Sequence, residues 1–169
     1  MEIIKYIAMG FILLASSYTG ILMAGKYTNR VKELKQMKTA LNLFETKVKF
    51  TYEPIPKIFQ DIAGRTQAMT SRIFKTASEK MQEKEAGVAW LEALEAENNI
   101  INREDKEILK GLSNLLGKVD LEGQVSEIEL VDNFLNTQIE KAEQDSKKNE
   151  KMYKTLGVTA GLAIVVVLI

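Results

Sequence analysis

The side chains that could carry out acid–base chemistry lie in two short stretches of the sequence. Glu104, Asp105 and Glu107 form one cluster, and Glu127 and Glu129 form the other. A catalytic carboxylate pair must converge in a cleft where the environment separates the two pKa values. Glu107 instead has Arg103 and Lys110 at i−4 and i+3, a spacing that is typical of exposed ion pairs on a helix, and helical spacing places the other acids on solvated helix surfaces. We therefore predict no catalytic residue in either cluster.

The composition removes most other catalytic and metal-binding chemistry. The chain has no cysteine and no histidine, which excludes thiolate nucleophiles, disulfides, the commonest general base and the commonest transition-metal ligand. Its glycines form no phosphate-binding loop. Basic and acidic residues balance at 23 each, so the charge pattern gives no footprint for nucleic acid. The sequence predicts a protein that is not an enzyme and has no cofactor, no metal site and no nucleic-acid partner.

Two uncharged segments lie at the ends of this otherwise charged chain. Tyr6–Gly25 and Thr155–Ile169 contain no charged residue, although 27% of all residues are charged. A helix needs about 20 apolar residues to cross a bilayer, and the shorter second segment, at about 22 Å, can cross if Lys154 snorkels. We predict transmembrane anchors at residues 1–25 and 155–169. Cleavage of the first as a signal peptide, and burial of the second in a core, are the alternatives.

Basic residues flank the inner side of both uncharged segments. Nine of them lie there: Lys26, Arg30, Lys32, Lys35, Lys38, Lys147, Lys148, Lys151 and Lys154. Lys5 alone precedes the first segment. The positive-inside rule then predicts that the domain between the segments, residues 26–154, is cytoplasmic and that both termini are outside.

Small residues recur at helical spacing in both segments. Ser16, Gly20 and Ala24 are each four residues apart, and Gly157 and Gly161 form a GxxxG motif. Such stripes let two helix backbones approach closely within lipid, although glycine is in any case frequent in membrane helices. We predict that these five residues pack one anchor against the other or against another membrane protein.

The charged middle of the sequence has the 3.6-residue periodicity of α-helices. Apolar residues recur three and four apart from Leu34 to Val48, in a helix that must end before Pro54. Further helices are predicted around Phe59, Ile73 and Trp90, after Asn102 with Asp105 as a capping box, and after Asp120. Gly64 and Gly117 are expected to end the second and the fifth. We predict an all-α fold, a bundle of roughly six helices flanked by N- and C-terminal transmembrane helices.

Two corners of this bundle could be either simple turns or docking surfaces for a partner. They are TYEPIPKIF (Thr51–Phe59) and LGKVDLEGQ (Leu116–Gln124). Functional residues concentrate on loops that a rigid scaffold positions. The interface candidates are Tyr52, Pro54, Pro56, Leu116, Gly117, Asp120 and Gln124.

The whole chain resembles the stage III sporulation protein AB family of endospore-forming bacteria. The resemblance rests on TYEPIP, AWLEAL, the LG-x-x-D-x-x-x-Q pattern within LGKVDLEGQ, and the terminal MYKTLGVTAGLAIVVVLI. Glu53 is a small departure, since a small or polar residue is expected before the proline. The resemblance implies a component of the membrane complex that joins mother cell and forespore. The family is similar to the cytoplasmic helical module of type II secretion and type IV pilus platform proteins.

By that resemblance, the domain would lie in the mother-cell cytoplasm, at the membrane facing the forespore, and dock a secretion-type ATPase of the same operon. Its other partners would be lipid and membrane proteins of the complex, and a homo-oligomer is left open. We predict a non-enzymatic platform. The alternatives are a general type II secretion or type IV pilus platform subunit, a membrane-tethered enzyme, and a membrane-tethered sensor or adaptor, which should have a sizeable apolar pocket.

Overall fold

The computed structural model describes residues 2–51, 53–97, 100–116 and 121–168, without the side chains of Glu2, Leu121, Glu122 and Gln124. Within these residues the chain forms six α-helices and no strand. They are α1 (Glu2–Phe50), α2 (Ile55–Arg65), α3 (Ala68–Lys80), α4 (Ala86–Ala96), α5 (Arg103–Lys110) and α6 (Leu121–Leu168), with a short 3-10 helix at Gly111–Asn114. The predicted all-α fold is confirmed.

The chain divides into two compact units. Met1–Val31 and Lys141–Ile169 form the first, which we call the terminal-helix unit, and Lys32–Glu140 form the second, the bundle unit. Both boundaries fall inside long helices, so α1 and α6 each contribute residues to both units. The terminal-helix unit extends beyond the uncharged segments and includes the charged turns next to them.

Four aromatic side chains, one from each of α1 to α4, form the centre of the bundle unit. Phe59 contacts Phe44, Phe74 and Trp90 edge-on, with ring centroids 5.2, 4.8 and 5.8 Å apart. All four are fully buried. The Trp90 indole N–H donates to the carbonyl of Leu109 at 2.7 Å, so this large side chain is buried without an unsatisfied donor. Edge-on aromatic contacts of this kind add to the stabilisation from burial alone.

A buried carboxylate joins α1 to the start of α3. Glu33 is 4% exposed, and its carboxylate accepts the backbone N–H groups of Met69 at 3.4 Å and Thr70 at 3.3 Å, together with the Thr70 hydroxyl at 3.3 Å. The first N–H groups of a helix have no intrahelical partner and favour negative charge. Ala68 has a left-handed φ of 49°, which costs about 1–2 kcal/mol. Glu33 therefore stabilises a strained helix start.

The predicted capping box at the start of α5 is confirmed. The Asn102 side chain accepts the backbone N–H of Asp105 at 2.8 Å, and the Asp105 carboxylate accepts the backbone N–H of Asn102 at 3.0 Å. These two bonds satisfy donors that would otherwise be unpaired at the helix start. Sequence spacing alone identified this element because both partners lie within one turn.

One predicted helix end is wrong, and another lies outside the described residues. Gly64 lies inside α2, which continues to Arg65, because Ile58, Phe59 and Ile62 are all buried on one side of that helix and packing outweighs the roughly 1 kcal/mol helix penalty of one glycine. The helix after Asn102 ends at Lys110 and continues as the 3-10 helix. Gly117, the predicted end, lies outside the described residues.

Gly87 of α4 lies against the backbone of the 3-10 helix. A Cβ atom at this position would lie 2.4 Å from the Ser113 carbonyl oxygen and 3.3 Å from its carbonyl carbon. Because backbone atoms cannot move aside as a flexible side chain can, we expect Gly87→Ala to reduce the free energy of unfolding by about 1–3 kcal/mol. Thermal unfolding of the purified full chain, followed by circular dichroism, measures this.

The matched control is Gly64→Ala, the same change inside α2. A Cβ atom at Gly64 would meet nothing within 4 Å, so this variant should be as stable as the parent or more stable by about 0.5–1 kcal/mol. Equal melting temperatures for the Gly87→Ala and Gly64→Ala variants would contradict the close approach.

Candidate functional site

In the terminal-helix unit, α1 and α6 pack against each other in antiparallel orientation. Contacts join Ser16 to Gly157, Thr28 to Glu150, and Arg30 to Asp145, so residue numbers rise along one helix as they fall along the other. This register brings the two stripes of small residues together. We call their contact, formed by Ser16, Gly20, Ala24, Gly157 and Gly161, the glycine seam.

The seam depends on two glycines that face each other. A Cβ atom on Gly20 would lie 2.6 Å from the carbonyl oxygen of Tyr153 and 3.0 Å from the Gly157 Cα. A Cβ atom on Gly157 would lie 2.9 Å from the Ser16 carbonyl oxygen. No side chain fits at either position without moving a backbone. The two helices can therefore approach this closely only where neither residue carries a Cβ atom.

The remaining members of the seam add one hydrogen bond and further close contacts. The Ser16 hydroxyl donates to the Gly157 carbonyl at 2.5 Å. A Cβ atom on Gly161 would lie 3.2 Å from the Ser16 Cβ and 3.2 Å from a Leu13 methyl carbon. Ala24 is 1% exposed, one turn beyond Gly20. Leu13 was not among the predicted packing residues, because a leucine in an apolar helix has no distinguishing pattern.

Polar contacts continue the pairing beyond the uncharged segments. The rings of Tyr27 and Tyr153 stack with centroids 5.8 Å apart. Glu150 accepts from the Thr28 hydroxyl at 3.4 Å and pairs with Lys154 at 2.7 Å, and Lys154 holds the pKa of the Glu150 carboxyl below its usual range. Aromatic side chains are enriched next to membrane spans, and basic side chains are enriched on their cytoplasmic side.

The paired helices have the composition and exposure of membrane spans. The most apolar 18-residue stretch of α1 has a mean hydropathy of 1.8, and 17% of its residues are buried. The corresponding stretch of α6 has a mean hydropathy of 1.5, and 11% of its residues are buried. A core helix of a water-soluble protein would be mostly buried. These two helices instead leave large apolar side chains exposed, among them Ile4, Phe11, Leu14, Leu162 and Val166, which in water would be a large unfavourable surface.

The interface candidates at the two bundle corners are only partly described. Tyr52, Gly117, Asp120 and the side chain of Gln124 lie outside the described residues. Pro54 is exposed and Pro56 is half-buried, and the Pro56 carbonyl accepts the Ser78 hydroxyl at 2.8 Å. Leu116 is 4% exposed, so its side chain belongs to the core and offers no surface to a partner.

The two carboxylate clusters are held in surface pairs and in a helix cap. Glu107 pairs with Lys110 at 3.0 Å, and Glu129 lies 3.7 Å from Lys49. Asp105 is the N3 partner of Asn102 in the capping box of α5. The described residues contain no group of three acidic side chains placed to hold a metal ion.

Two carboxyls of α4, Glu92 and Glu95, have pKa values shifted in the direction opposite to that of a general acid. Lys80 and then Lys84 lower the pKa of Glu92 to about 2, and Lys110 lowers the pKa of Glu95. A general acid or base at neutral pH needs a pKa raised toward 7. These lysines therefore keep the carboxylates charged and serve as surface ion pairs between helices.

A membrane-tethered sensor should have a sizeable apolar pocket, and the groove of about 310 Å³ between α2 and α3 is a cavity that could serve as one. Its lining is largely polar and includes Gln60, Ser71, Lys75, Ser78 and Glu79. Sites for small ligands are usually apolar with a few directed polar groups. This groove lacks that character.

Comparison with known proteins follows the whole length of the chain. Residues 5–169 match the family described as Stage III sporulation protein AB. The chain is 30% identical over 169 residues to the Stage III sporulation protein AB of Bacillus subtilis (strain 168), with 98% of this chain and 99% of that protein covered. A solved structure of Stage III sporulation protein AB superposes with a TM-score of 0.66 at 24% identity, covering 70% of this chain and 96% of that one. At that identity the structural likeness supports the helical fold alone.

Enlarging the glycines of the seam should separate the two helices. We expect Gly157→Leu with Gly161→Leu to lower the yield of a disulfide between cysteines placed at Tyr27 and Tyr153 roughly tenfold, since overpacking costs about 1–3 kcal/mol. The fluorescence of Trp90, the single tryptophan, should stay unchanged because the bundle unit keeps its own core.

Gly10→Leu with Gly25→Leu is the matched control, because a Cβ atom at either position meets nothing within 4 Å. This pair should leave the disulfide yield at the parent level. If both double variants lower the yield equally, the seam does not hold the helices together.

Proposed function

The chain belongs to the stage III sporulation protein AB family, and we propose that it is a non-enzymatic platform of the membrane complex that joins mother cell and forespore. The observation that carries this proposal is the paired arrangement of the chain's two ends. Both uncharged helices meet at the glycine seam, and the bundle unit lies between them in the sequence. In this role the bundle receives conformational work from a partner ATPase, and the two helices pass it to other membrane components.

The proposed topology has both helices in the membrane and the bundle unit in the mother-cell cytoplasm. The nine basic residues on the inner side of the uncharged segments support this orientation, because translocation of basic flanks is disfavoured. The polar contacts from Tyr27 with Tyr153 to Arg30 with Asp145 support a membrane surface at this level. Both termini then lie outside the cytoplasm.

The contacts within the bundle suit the transmission of force. Four helices meet at the aromatic cluster, and Glu33 fixes α1 to the start of α3. Because α1 and α6 each belong to both units, the bundle is attached to the membrane segments through two continuous helices. Two attachments resist rotation of the bundle better than a single tether, which favours a platform over a flexibly tethered enzyme or adaptor.

The proposed docking surface for the ATPase is formed by the bundle corners that the sequence singled out. Pro54 is exposed at the start of α2, and a segment that bears Asp120 connects the 3-10 helix to α6. Prolines and tight turns fix the backbone before binding, which reduces the entropy lost on association.

Charge reversal tests this docking surface. We expect Asp120→Lys to weaken binding of the full chain, held in nanodiscs, to the secretion-type ATPase roughly tenfold. The lysine would place a positive charge against the basic ATPase surface that complements Asp120, and like charges repel. Biolayer interferometry gives the dissociation constants. Glu79→Lys is the control, since it makes the same charge change at an exposed position of α3 and should leave binding unchanged. An unaltered constant for Asp120→Lys would remove this corner from the interface.

A further inference from the structure

Three lysines next to the uncharged end of α6 have no ion-pair partner among the residues that the structure describes. Lys147, Lys148 and Lys151 are exposed, and in the part of the chain that the structure describes no carboxylate pairs with any of them. Their neighbours are different, because Lys154 pairs with Glu150 at 2.7 Å and Arg30 of α1 pairs with Asp145 at 3.3 Å. Asp145 and Glu150, two carboxylates near the lysines, are thus already engaged by other cations.

These lysines lie on the side of α6 that faces away from α1. Ser146 and Gly157 are buried toward α1, and Tyr153 stacks on Tyr27. Lys147 and Lys151 are four residues apart, and Lys148 and Lys151 three apart, so all of them share one exposed face. Lys154 and Glu150 occupy its edge. Three positive charges therefore stand together on a surface that helix pairing leaves open.

Apolar side chains continue this face toward the uncharged segment. The three lysines, with Met152, Thr155 and Leu156, line a shallow groove of about 460 Å³. Met152 is 40% exposed and Leu156 is 54% exposed. Thr155 begins the uncharged end of the chain. The groove is therefore cationic at one end and apolar at the end that enters the membrane.

We propose that this lysine groove binds an anionic phospholipid. The lysine ammonium groups would contact the phosphate and the anionic headgroup, while Met152 and Leu156 would contact the start of an acyl chain. Clusters of lysine beside a membrane span attract anionic headgroups. A nucleotide or a nucleic acid would satisfy the lysines but would gain nothing from the exposed apolar side chains, so the composition of the groove favours a lipid.

Occupation of the groove would fix the depth and rotation of α6 at the membrane surface. Basic and aromatic side chains at the end of a membrane helix help to set its depth and rotation in the bilayer. Lys154, which pairs with Glu150, is less available for this purpose. The inference rests on the proposed membrane insertion of α6 and is independent of ATPase docking.

The test measures lipid binding to the full chain. Purified protein in neutral detergent is titrated with phosphatidylglycerol or phosphatidylcholine, and bound lipid is counted by native mass spectrometry. We expect phosphatidylglycerol to be retained selectively. Lys147→Gln with Lys148→Gln and Lys151→Gln should weaken its binding roughly 100-fold, at about fivefold for each lysine, and leave phosphatidylcholine binding unchanged.

Two further variants separate charge from fold. The control Lys57→Gln with Lys75→Gln and Lys84→Gln removes the same charge from the bundle unit and should bind phosphatidylglycerol as the parent does. Replacing the three groove lysines by arginine should also preserve binding, because arginine keeps the positive charge. This test remains valid even if the glutamine variant loses structure.

Several results would overturn the proposal. These are equal retention of both lipids by the parent, loss of binding in the bundle control, or loss in the arginine variant. Inorganic phosphate that displaces phosphatidylglycerol completely at millimolar concentration would identify a simple anion site in place of a lipid site. None of these results changes the outcome expected for ATPase binding, so the lipid proposal can be rejected while the ATPase proposal stands.

Discussion

The close approach of α1 and α6 at Gly20 and Gly157 is the contact on which the terminal-helix unit depends. Lipid supplies no hydrophobic force to bring two apolar helices together, so close packing and interhelical hydrogen bonds must do so. Both require the backbones to touch, and a Cβ atom on Gly20 would stand 2.6 Å from the Tyr153 carbonyl oxygen. The Ser16 hydroxyl uses the same proximity to reach the Gly157 carbonyl. Two hydrogen atoms in place of two side chains thus allow the pairing.

In the bundle unit, the apolar residues of α1 lie on one side of the helix instead of all round it. There α1 has an apolar stripe that includes Leu34, Met37 and Leu41, all fully buried, as expected for a helix packed against others in water. Phe44 and Phe59 continue this stripe into the aromatic cluster. Each long helix therefore changes from an amphipathic pattern to an all-round apolar one along its length. The tyrosine pair of Tyr27 and Tyr153 lies close to this change of pattern.

Sequence reasoning succeeded where the determining contacts are local and failed where they are not. The capping box of Asn102 and Asp105 lies within one helical turn, so its spacing in the sequence was enough to predict it. The pairing of Arg30 with Asp145 joins residues 115 positions apart, and it depends on a register that no local pattern fixes. Gly64 was misread as a helix end because its local preference was outweighed by burial of neighbouring residues. Leu116 resembled a corner residue by position, yet its side chain completes the core.

The central claim is that both ends of the chain enter one membrane and the bundle remains on its cytoplasmic side. The absence of native cysteine allows single cysteines at the exposed position Ser126 and after Ile169, which are labelled in intact sporulating cells with a membrane-impermeant maleimide. Permeabilised cells, in which both should react, are the control for reactivity. The account predicts labelling of intact cells only after Ile169. Labelling at Ser126 would place the bundle outside, reverse the orientation inferred from the basic flanks, and exclude direct contact with a cytoplasmic ATPase.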